Sequence, residues 1–305
     1  MRRFVLRRTA RAFIVFWGVS TVVFLVMRLS GDPITLLVAP ETPVADIERL
    51  RHEMGLDAPL IVQYVRFLGE VARGDFGRSI RFGDPAMDLV LERLRPTAEL
   101  AVVSLLLAML VAIPIGLFSA VKPNSVYDRA AMALALLGQS TPAFLAGIVL
   151  ILVFSVQLKL LPTGGRGQWY QLILPALTLG AWAMASIARL TRTAMLEVIG
   201  KEYVRTARAK GLPERAIVMR HALKNAAIPL VTIVGLQFGG LLAGAVVTET
   251  VFSWPGMGRL MIQSIGVRDY PVVQAGVFLV AVGFVLVNVV VDLMYAILDP
   301  RIRYS

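Results

Sequence analysis

The chain has no cysteine, and its only histidines are His52 and His221. The absence of cysteine excludes disulfide frameworks, thiolate zinc sites, iron–sulfur clusters and cysteine nucleophiles. Two histidines leave little material for a histidine-rich metal site or a proton relay. No segment matches G-x-x-x-x-G-K-[ST], the loop that holds nucleotide phosphates. The sequence therefore argues against redox, metal and nucleotide chemistry on this chain.

Charge is also scarce, since charged residues make up 17% of the 305 residues and hydrophobic residues 57%. The mean hydropathy of +0.73 exceeds that of ordinary globular proteins. The formal net charge of +11 does not indicate nucleic acid, because the basic residues lie between apolar segments rather than on one face or in one tail. This pattern predicts a protein that is embedded in membrane lipid.

Six apolar runs are long enough to cross a bilayer, for which about twenty residues are needed in a helix. They cover residues 11–29, 98–121, 130–157, 171–189, 226–248 and 272–297. The first resembles a signal peptide but is followed by Met27, Arg28 and Leu29 instead of a small-residue cleavage site, so an uncleaved anchor is expected. The fold class predicted is an all-α integral membrane protein with six transmembrane helices.

The basic residues predict the orientation, because short loops rich in Lys and Arg stay in the cytoplasm. Five arginines lie before or at the start of the first span, and the segment 189–224 carries nine basic residues against three acidic ones. Both termini are therefore expected in the cytoplasm. The predicted division is an N-terminus with the first span (1–30), an external segment (31–97), a five-helix core (98–298) that includes a cytoplasmic loop (190–225), and a cytoplasmic tail (299–305).

The external segment is long for a connection, and loops of such length are usually functional or structured. Charge patterning over Val44 to Met54 and apolar spacing over Pro59 to Val71 predict two helices, and glycines punctuate the segment. A small helical cap at the external mouth is the expected structure. A simple spacer is the alternative.

The cytoplasmic loop has the pattern of two short helices. Gly211 suits the left-handed residue that ends a helix, while Pro213 and Glu214 suit the first turn of the next one. Helices this short are not stable alone, so a partner protein is a reasonable inference. A basic loop attracted to anionic lipid is the alternative.

This loop resembles the EAA loop of permease subunits of binding-protein-dependent ABC importers, in the peptide and nickel subfamily. The segments that carry the resemblance are YVRTARAKGL from Tyr203 and RHALKNA from Arg220. In the general motif Gly211 occupies the glycine place, Ala207 the second alanine and Leu223 the leucine. The sequence departs from that motif at Arg205, Thr206, His221 and Lys224, in the form that the peptide subfamily uses.

Other segments resemble the same subfamily in order along the chain. They are RLSGDP (28–33), GDFGRSI (74–80), STPAF (140–144), TETVFSWPGMGRL (248–260), RDYPVVQ (268–274) and DPRIR (299–303). The resemblance implies a type I ABC importer permease fold in a bacterial inner membrane. It also implies a second homologous permease, two cytoplasmic ABC ATPase subunits that carry ATP and Mg, and an external solute-binding protein. Its usual substrates are dipeptides or oligopeptides, with nickel chelates or glutathione as variants.

By the same resemblance, the loop is the pair of coupling helices that contacts the ATPase. The coupling residues expected are Glu202, Tyr203, Arg205, Thr206, Ala207, Lys210, Gly211 and Leu223. No catalytic residue and no metal ligand are expected on the chain, which is therefore not an enzyme by itself.

Polar residues within apolar spans are the candidates for the pathway or a gate. Gln139, Ser140 and Thr141 precede Pro142, which kinks a helix and frees carbonyl groups. Asn288 and Asp292 share one helical face, where Asp292 could pair with Arg189. For that second pair a structural contact is favoured over a gate.

Three further features of the spans and their ends have ordinary structural interpretations. Glu99 and Glu249 are expected to be solvated at the membrane surface, and Trp254 to be an interfacial aromatic residue. The last feature is small-residue spacing in span five, which predicts close helix packing, at Gly235, Gly239, Gly240 and Gly244.

A stand-alone secondary transporter is the competing function, but midplane charges and an internal repeat, which are typical of that class, are not evident. An intramembrane protease is disfavoured, because neither H-E-x-x-H nor G-x-S-x-G occurs.

Overall fold

The structure is a computed structural model that describes residues 2–29, 34, 42–53 and 55–298. These residues are almost entirely helical and form no β-sheet, apart from one isolated bridge between Arg78 and Pro85. The helices are α1 (Arg2–Leu29), α2 (Val44–Glu53), α3 (Leu60–Ala72), α4 (Ala86–Val121), α5 (Val126–Ser140), α6 (Ala143–Gln157), α7 (Ile173–Ile199), α8 (Glu202–Ala209), α9 (Glu214–Val251), α10 (Met257–Gly266) and α11 (Tyr270–Leu298).

The predicted all-α membrane fold is confirmed. Within the described residues four helices are long and apolar enough to cross a membrane: Ala86–Val121, Trp169–Ile199, Glu214–Val251 and Tyr270–Val291. The bent pair α5 and α6 adds a fifth if it counts as one span, and α1 contains a shorter apolar stretch, Phe13–Val26. By length and composition, up to five spans are identified among the described helices. The predicted six are consistent with the structure if α1 is the sixth.

The third predicted span, 130–157, is not one continuous helix. It breaks between α5 and α6, which meet at an angle of 107°. Pro142 has no N–H to continue the helix and disfavours helical geometry in the residue before it. Thr141 accordingly has an extended backbone, with φ −83° and ψ 123°, and its hydroxyl donates to the carbonyl of Leu137 at 2.8 Å.

The described residues divide into two compact units. The first contains residues 1–95 and 256–285. Its core is a cluster of apolar side chains: Val71, Phe76, Ala86, Val90, Met257, Leu260, Val272 and Ala275. The helices predicted in the external segment are present as α2 and α3. The RLSGDP motif begins with Arg28 and Leu29, the last two residues of α1, which belongs to this unit. Residues 30–33 of the motif lie outside the described part of the chain.

A buried aspartate anchors the loop that follows α3. Asp269 accepts hydrogen bonds from the Ser79 hydroxyl, from the Ile80 amide at 3.1 Å and from the Arg81 amide at 3.3 Å. The Ser79 hydroxyl in turn accepts from the Phe82 amide at 3.0 Å. The GDFGRSI and RDYPVVQ segments, far apart in sequence, are thus parts of one hydrogen-bonded structure.

The second unit contains residues 96–255 and 286–305. Its core joins α4, α7 and α9 through residues such as Ala108, Ile187 and Leu241. Glycine allows α4 and α7 to approach closely, because a Cβ at Gly116 would lie 2.5 Å from the carbonyl oxygen of Ala188. A Cβ at Gly180 would lie 2.9 Å from the carbonyl oxygen of Ser104. The two helices are therefore in backbone contact at two levels.

Two of the predicted interfacial residues are instead buried. Glu249 is 0% exposed and accepts a hydrogen bond of 2.6 Å from the Thr97 hydroxyl, and Trp254 is 1% exposed and donates from Nε1 to the carbonyl of Pro96 at 3.0 Å. Each group is buried because another part of the unit supplies its hydrogen-bond partner. Glu99 is partly exposed, as expected, and pairs with Arg166 at 2.6 Å.

The predicted packing role of the small residues applies clearly to Gly235. A Cβ there would lie 1.9 Å from Cγ2 of Val291, so α9 and α11 touch because this residue has no side chain. A Cβ at Gly240 would meet no atom within 4 Å, and one at Gly244 only the Leu179 Cδ1 at 3.8 Å. Neither of these two glycines is required by packing against the part of the chain that the structure describes.

Candidate functional site

The α8 helix packs through one apolar face and exposes the other. Val204 and Ala207 are buried against Ile217, at the start of α9, and against Val198, near the end of α7. A three-residue spacing places Val204 and Ala207 on the same side of the helix. The helix is thus fixed to the ends of two long helices rather than carried on a free loop.

The turn after α8 has the geometry of a Schellman motif. Gly211 has φ +75°, its amide donates to the carbonyl of Arg208 at 2.9 Å, and the Leu212 amide donates to the carbonyl of Ala207 at 3.4 Å. A Cβ at Gly211 would meet no atom within 4 Å. The glycine is therefore required for its left-handed backbone and not for space.

An ion pair spans this turn. Arg208 donates to the two carboxylate oxygens of Glu214, at 2.6 Å from Nη2 and at 3.2 Å from Nε. Both side chains are half-exposed, so the pair adds little stability on its own. It joins the last turn of α8 to the first residue of α9.

The predicted coupling residues fall into two groups. The exposed group faces away from the unit and consists of Glu202, Tyr203, Arg205, Thr206, Lys210 and Gly211. Ala207 and Leu223, in contrast, pack into apolar clusters. The side chains of Leu212 and Met219 add exposed apolar area on the same loop. The surface is therefore basic and partly apolar, with Ala207 and Leu223 as its supports.

The second short helix predicted for the loop does not exist as a separate element. It is the beginning of α9, which runs without a break from Glu214 to Val251 and contains a π-helical stretch, Ile217–Ala222. Pro213 starts this helix, and Pro229 lies inside it. The predicted span 226–248 therefore lies inside a longer helix, which begins at Glu214. The turn at Gly211 thus connects directly to a spanning helix.

The candidate pathway residues Gln139, Ser140 and Thr141 meet at the bend between α5 and α6. Ser140 and Thr141 are exposed, and Gln139 is partly buried. Asn288 is partly buried on α11, whereas the side chain of Asp292 lies outside the described part of the structure. The Nε of Arg189 is buried without a hydrogen-bond partner among the described groups. The proposed pairing of Arg189 with Asp292 stays a prediction.

The sequence did not suggest the pairing between Asp128 and Arg192. Arg192, on α7, donates to both carboxylate oxygens of Asp128, on α5, at 2.6 and 2.8 Å. Ser125 caps α5 by accepting from the Asp128 amide, and Asp128 accepts from the Asn124 amide at 2.8 Å. A serine before an aspartate predicts the start of a helix, but it does not predict a partner 64 residues away.

No site for a metal is evident among residues 2–29, 34, 42–53 and 55–298, where no three acidic or histidine side chains form a group that could hold an ion.

Comparisons with known proteins place the chain in a family. Residues 112–304 match the family described as the inner membrane component of binding-protein-dependent transport systems, and residues 1–101 match its N-terminal family. The chain belongs to this permease family. Glutathione transport system permease protein GsiC of Escherichia coli (strain K12) is 44% identical over 306 residues, and that of Salmonella paratyphi A is 45% identical; both comparisons cover 100% of each chain.

The fold is also that of solved ABC transporters. A structure of the MetNI methionine ABC transporter in an inward facing conformation matches with a TM-score of 0.57 at 21% identity, covering 70% of this chain and 97% of that one. A second crystal form gives a TM-score of 0.59. The permease therefore has an ABC importer fold, and the turn at Gly211 lies within its main family region.

Proposed function

We propose that this permease forms, together with a second homologous permease, the path by which small peptides of the size of glutathione enter the cell. Glutathione is itself a modified tripeptide, so the expected peptide substrate and the name of the GsiC relatives agree. Nickel chelates are the other substrate class considered, and neither relative described above is named for nickel transport. The sequence contains no G-x-x-x-x-G-K-[ST] loop, so ATP hydrolysis is assigned to other chains. Two cytoplasmic ATPases bind ATP and Mg, and an external binding protein delivers the solute.

The observation that carries the proposal is the construction of α8. Its apolar face is fixed to α7 and α9, its turn is held by Gly211, and its other face presents Tyr203, Arg205 and Lys210 to solvent. A basic, partly apolar surface on a rigid turn suits an acidic groove with an apolar floor in a partner protein. We assign that partner as the ATPase, because the permease must receive energy from another chain.

The orientation follows from this assignment. The Gly211 turn lies in the cytoplasm, as do both termini, and the segment 31–97 lies outside the inner membrane. The arginine distribution supports the same orientation. The α2 and α3 helices then form part of the external surface that meets the binding protein.

The test is reconstitution of the permease with its genomic neighbours in liposomes. With ATP inside and binding protein outside, the complete set should accumulate glutathione or dipeptides, and the permease alone should accumulate neither. Uptake by the permease alone, driven by an ion gradient, would establish a secondary transporter instead. Uptake of a nickel chelate in preference to every peptide would overturn the substrate class.

A further inference from the structure

We propose that the Asp128–Arg192 pair is the mechanical link by which movement of α8 reaches the bend between α5 and α6. Asp128 and Arg192 are then positioning residues for transport, acting on Gln139, Ser140 and Thr141 without contact to the solute. This inference rests on the proposed function, in which α8 receives the motion of the ATPase.

The first part of the link is the apolar packing at the base of α8. Val204 and Ala207 contact Val198, so a displacement of α8 is transmitted to the end of α7. A second cluster joins Ala194 and Met195 of α7 to Ala120 of α4 and Ala222 of α9. The end of α7 is therefore close-packed on several sides, and such interiors transmit displacement rather than absorb it.

The second part is the ion pair itself, which joins α7 to α5. The Asp128 side chain is 3% exposed and that of Arg192 is 24% exposed. The bidentate geometry fixes direction as well as distance, which a single lysine contact would not do. In contrast, the Glu99 side chain that pairs with Arg166 is 41% exposed. Burial makes the Asp128–Arg192 pair costly to break and therefore suited to carry a displacement.

The third part is α5, which runs antiparallel to α7 from the pair to the bend. Asp128 lies near its start beside Arg192, and near its end a Cβ at Gly138 would lie 3.9 Å from the carbonyl oxygen of Ala181. Ser140 follows Asp128 by twelve residues, a helical length of about 18 Å. A rigid helix held at one end by Arg192 would thus change the position of the bend when α7 moves.

A role in transmission differs measurably from a role in folding. A pair that only stabilises the fold lowers the amount of assembled complex, and with it stimulated ATPase activity and uptake together. A transmitting pair leaves stimulated hydrolysis in place and lowers the number of solute molecules moved per ATP. The decisive quantity is therefore this coupling ratio in the assembled complex.

The experiment compares Asp128→Asn, Arg192→Gln and the double variant in the reconstituted complex. Each should keep binding-protein-stimulated hydrolysis while the coupling ratio falls roughly 2- to 30-fold, the range for mutations that alter coupling between sites. The double variant should lose no more than either single variant, because both remove one interaction. Arg192→Lys, which keeps the charge but not the bidentate contact, should be intermediate. Arg129→Gln, an exposed arginine in the same turn of α5, is the matched control and should leave the ratio unchanged.

The result that overturns the proposal is an unchanged coupling ratio in both single variants, or losses that multiply in the double variant. If the single variants fail to assemble but the double variant assembles with a normal ratio, the pair is structural and the proposal is equally wrong. Gly211→Val separates this failure from that of the proposed function. If Gly211→Val abolishes stimulated hydrolysis while the Asp128 and Arg192 variants couple normally, the α8 contact stands and only the link through α5 is lost.

Discussion

Replacing Gly211 by valine tests whether the orientation of α8 controls energy coupling. The residue has φ +75° and no atom within 4 Å of its Cβ position, so the substitution introduces conformational strain without a steric clash. A β-branched side chain in this region costs on the order of 1–3 kcal/mol.

This cost is of the same order as the stabilisation that holds the turn closed. The Arg208–Glu214 pair is half-exposed and contributes about 0–1 kcal/mol. The two amide hydrogen bonds of the turn contribute about 1 kcal/mol each, and the longer of them, from Leu212, is already 3.4 Å. Burial of Val204 contributes about 1.5–3 kcal/mol and keeps α8 attached. The turn should therefore open at Lys210 to Leu212 before α8 leaves its cluster.

The expected result is a loss of stimulated ATP hydrolysis and of uptake together, by roughly 5- to 150-fold, which is the factor that 1–3 kcal/mol of coupling energy represents. Abundance in the membrane should stay normal, since α9 and the unit's core are untouched. Both activities are measured in liposomes with the complete complex. Gly211→Asn is the matched control, because asparagine tolerates the left-handed conformation and should keep most activity. Wild-type rates for Gly211→Val, at normal abundance, would refute the role of this turn.

Three further outcomes are expected. Cysteines introduced singly into this cysteine-free chain at Asp84 and Lys122, both exposed, should react with a membrane-impermeant maleimide in intact cells at Asp84 only; reaction at both would reject the proposed orientation. The 2.6 Å hydrogen bond between His52 and Asp57 raises the pKa of His52 and lowers the pKa of Asp57. The ion pair is therefore fully formed just below the ordinary histidine pKa. It is lost as the pH rises through the raised pKa of His52, and it is lost again as the pH falls through the lowered pKa of Asp57. Asp57→Asn should return the pKa of His52 to its ordinary range in an NMR titration on a His221→Gln background, and an unchanged value would show that the pair does not form. Thr97→Val removes the hydroxyl bonded to the buried Glu249 and should destabilise the purified permease by about 1–3 kcal/mol in a thermal assay, with Thr97→Ser as the control that keeps the bond.

Local signals in the sequence were sufficient to predict the turn at Gly211. The left-handed conformation of Gly211 and the helix start after Pro213 depend on residues within one or two turns of each other, so local spacing predicts both. The same holds for the bend before Pro142, where proline restricts Thr141 directly. The spanning run predicted from residue 226 lies inside a longer helix, Glu214–Val251. The apolar content rises there, but hydropathy marks where a helix enters lipid and not where it begins.

Contacts between distant segments could not be predicted in this way. Glu249 looks like an interfacial carboxylate in sequence, since it lies next to the end of an apolar run; its partner Thr97 precedes it by 152 residues. Trp254 depends in the same manner on the carbonyl of Pro96, and Asp269 on the loop at Ser79. In each case the sequence shows a polar group that is costly to bury, and only the fold supplies the donor or acceptor that removes the cost.

The charged groups of the second unit differ in what their replacement should affect. Exposed Arg205 and Lys210 can be replaced at little cost to the fold, so their effect should be confined to the contact with a partner chain. Asp128 and Arg192 are tied to the fold and to each other, so a change at either affects α5 and α7 at once. Under the proposed function both kinds of residue are needed, because the exposed residues would contact the ATPase and the buried pair would transmit the displacement to the membrane segments.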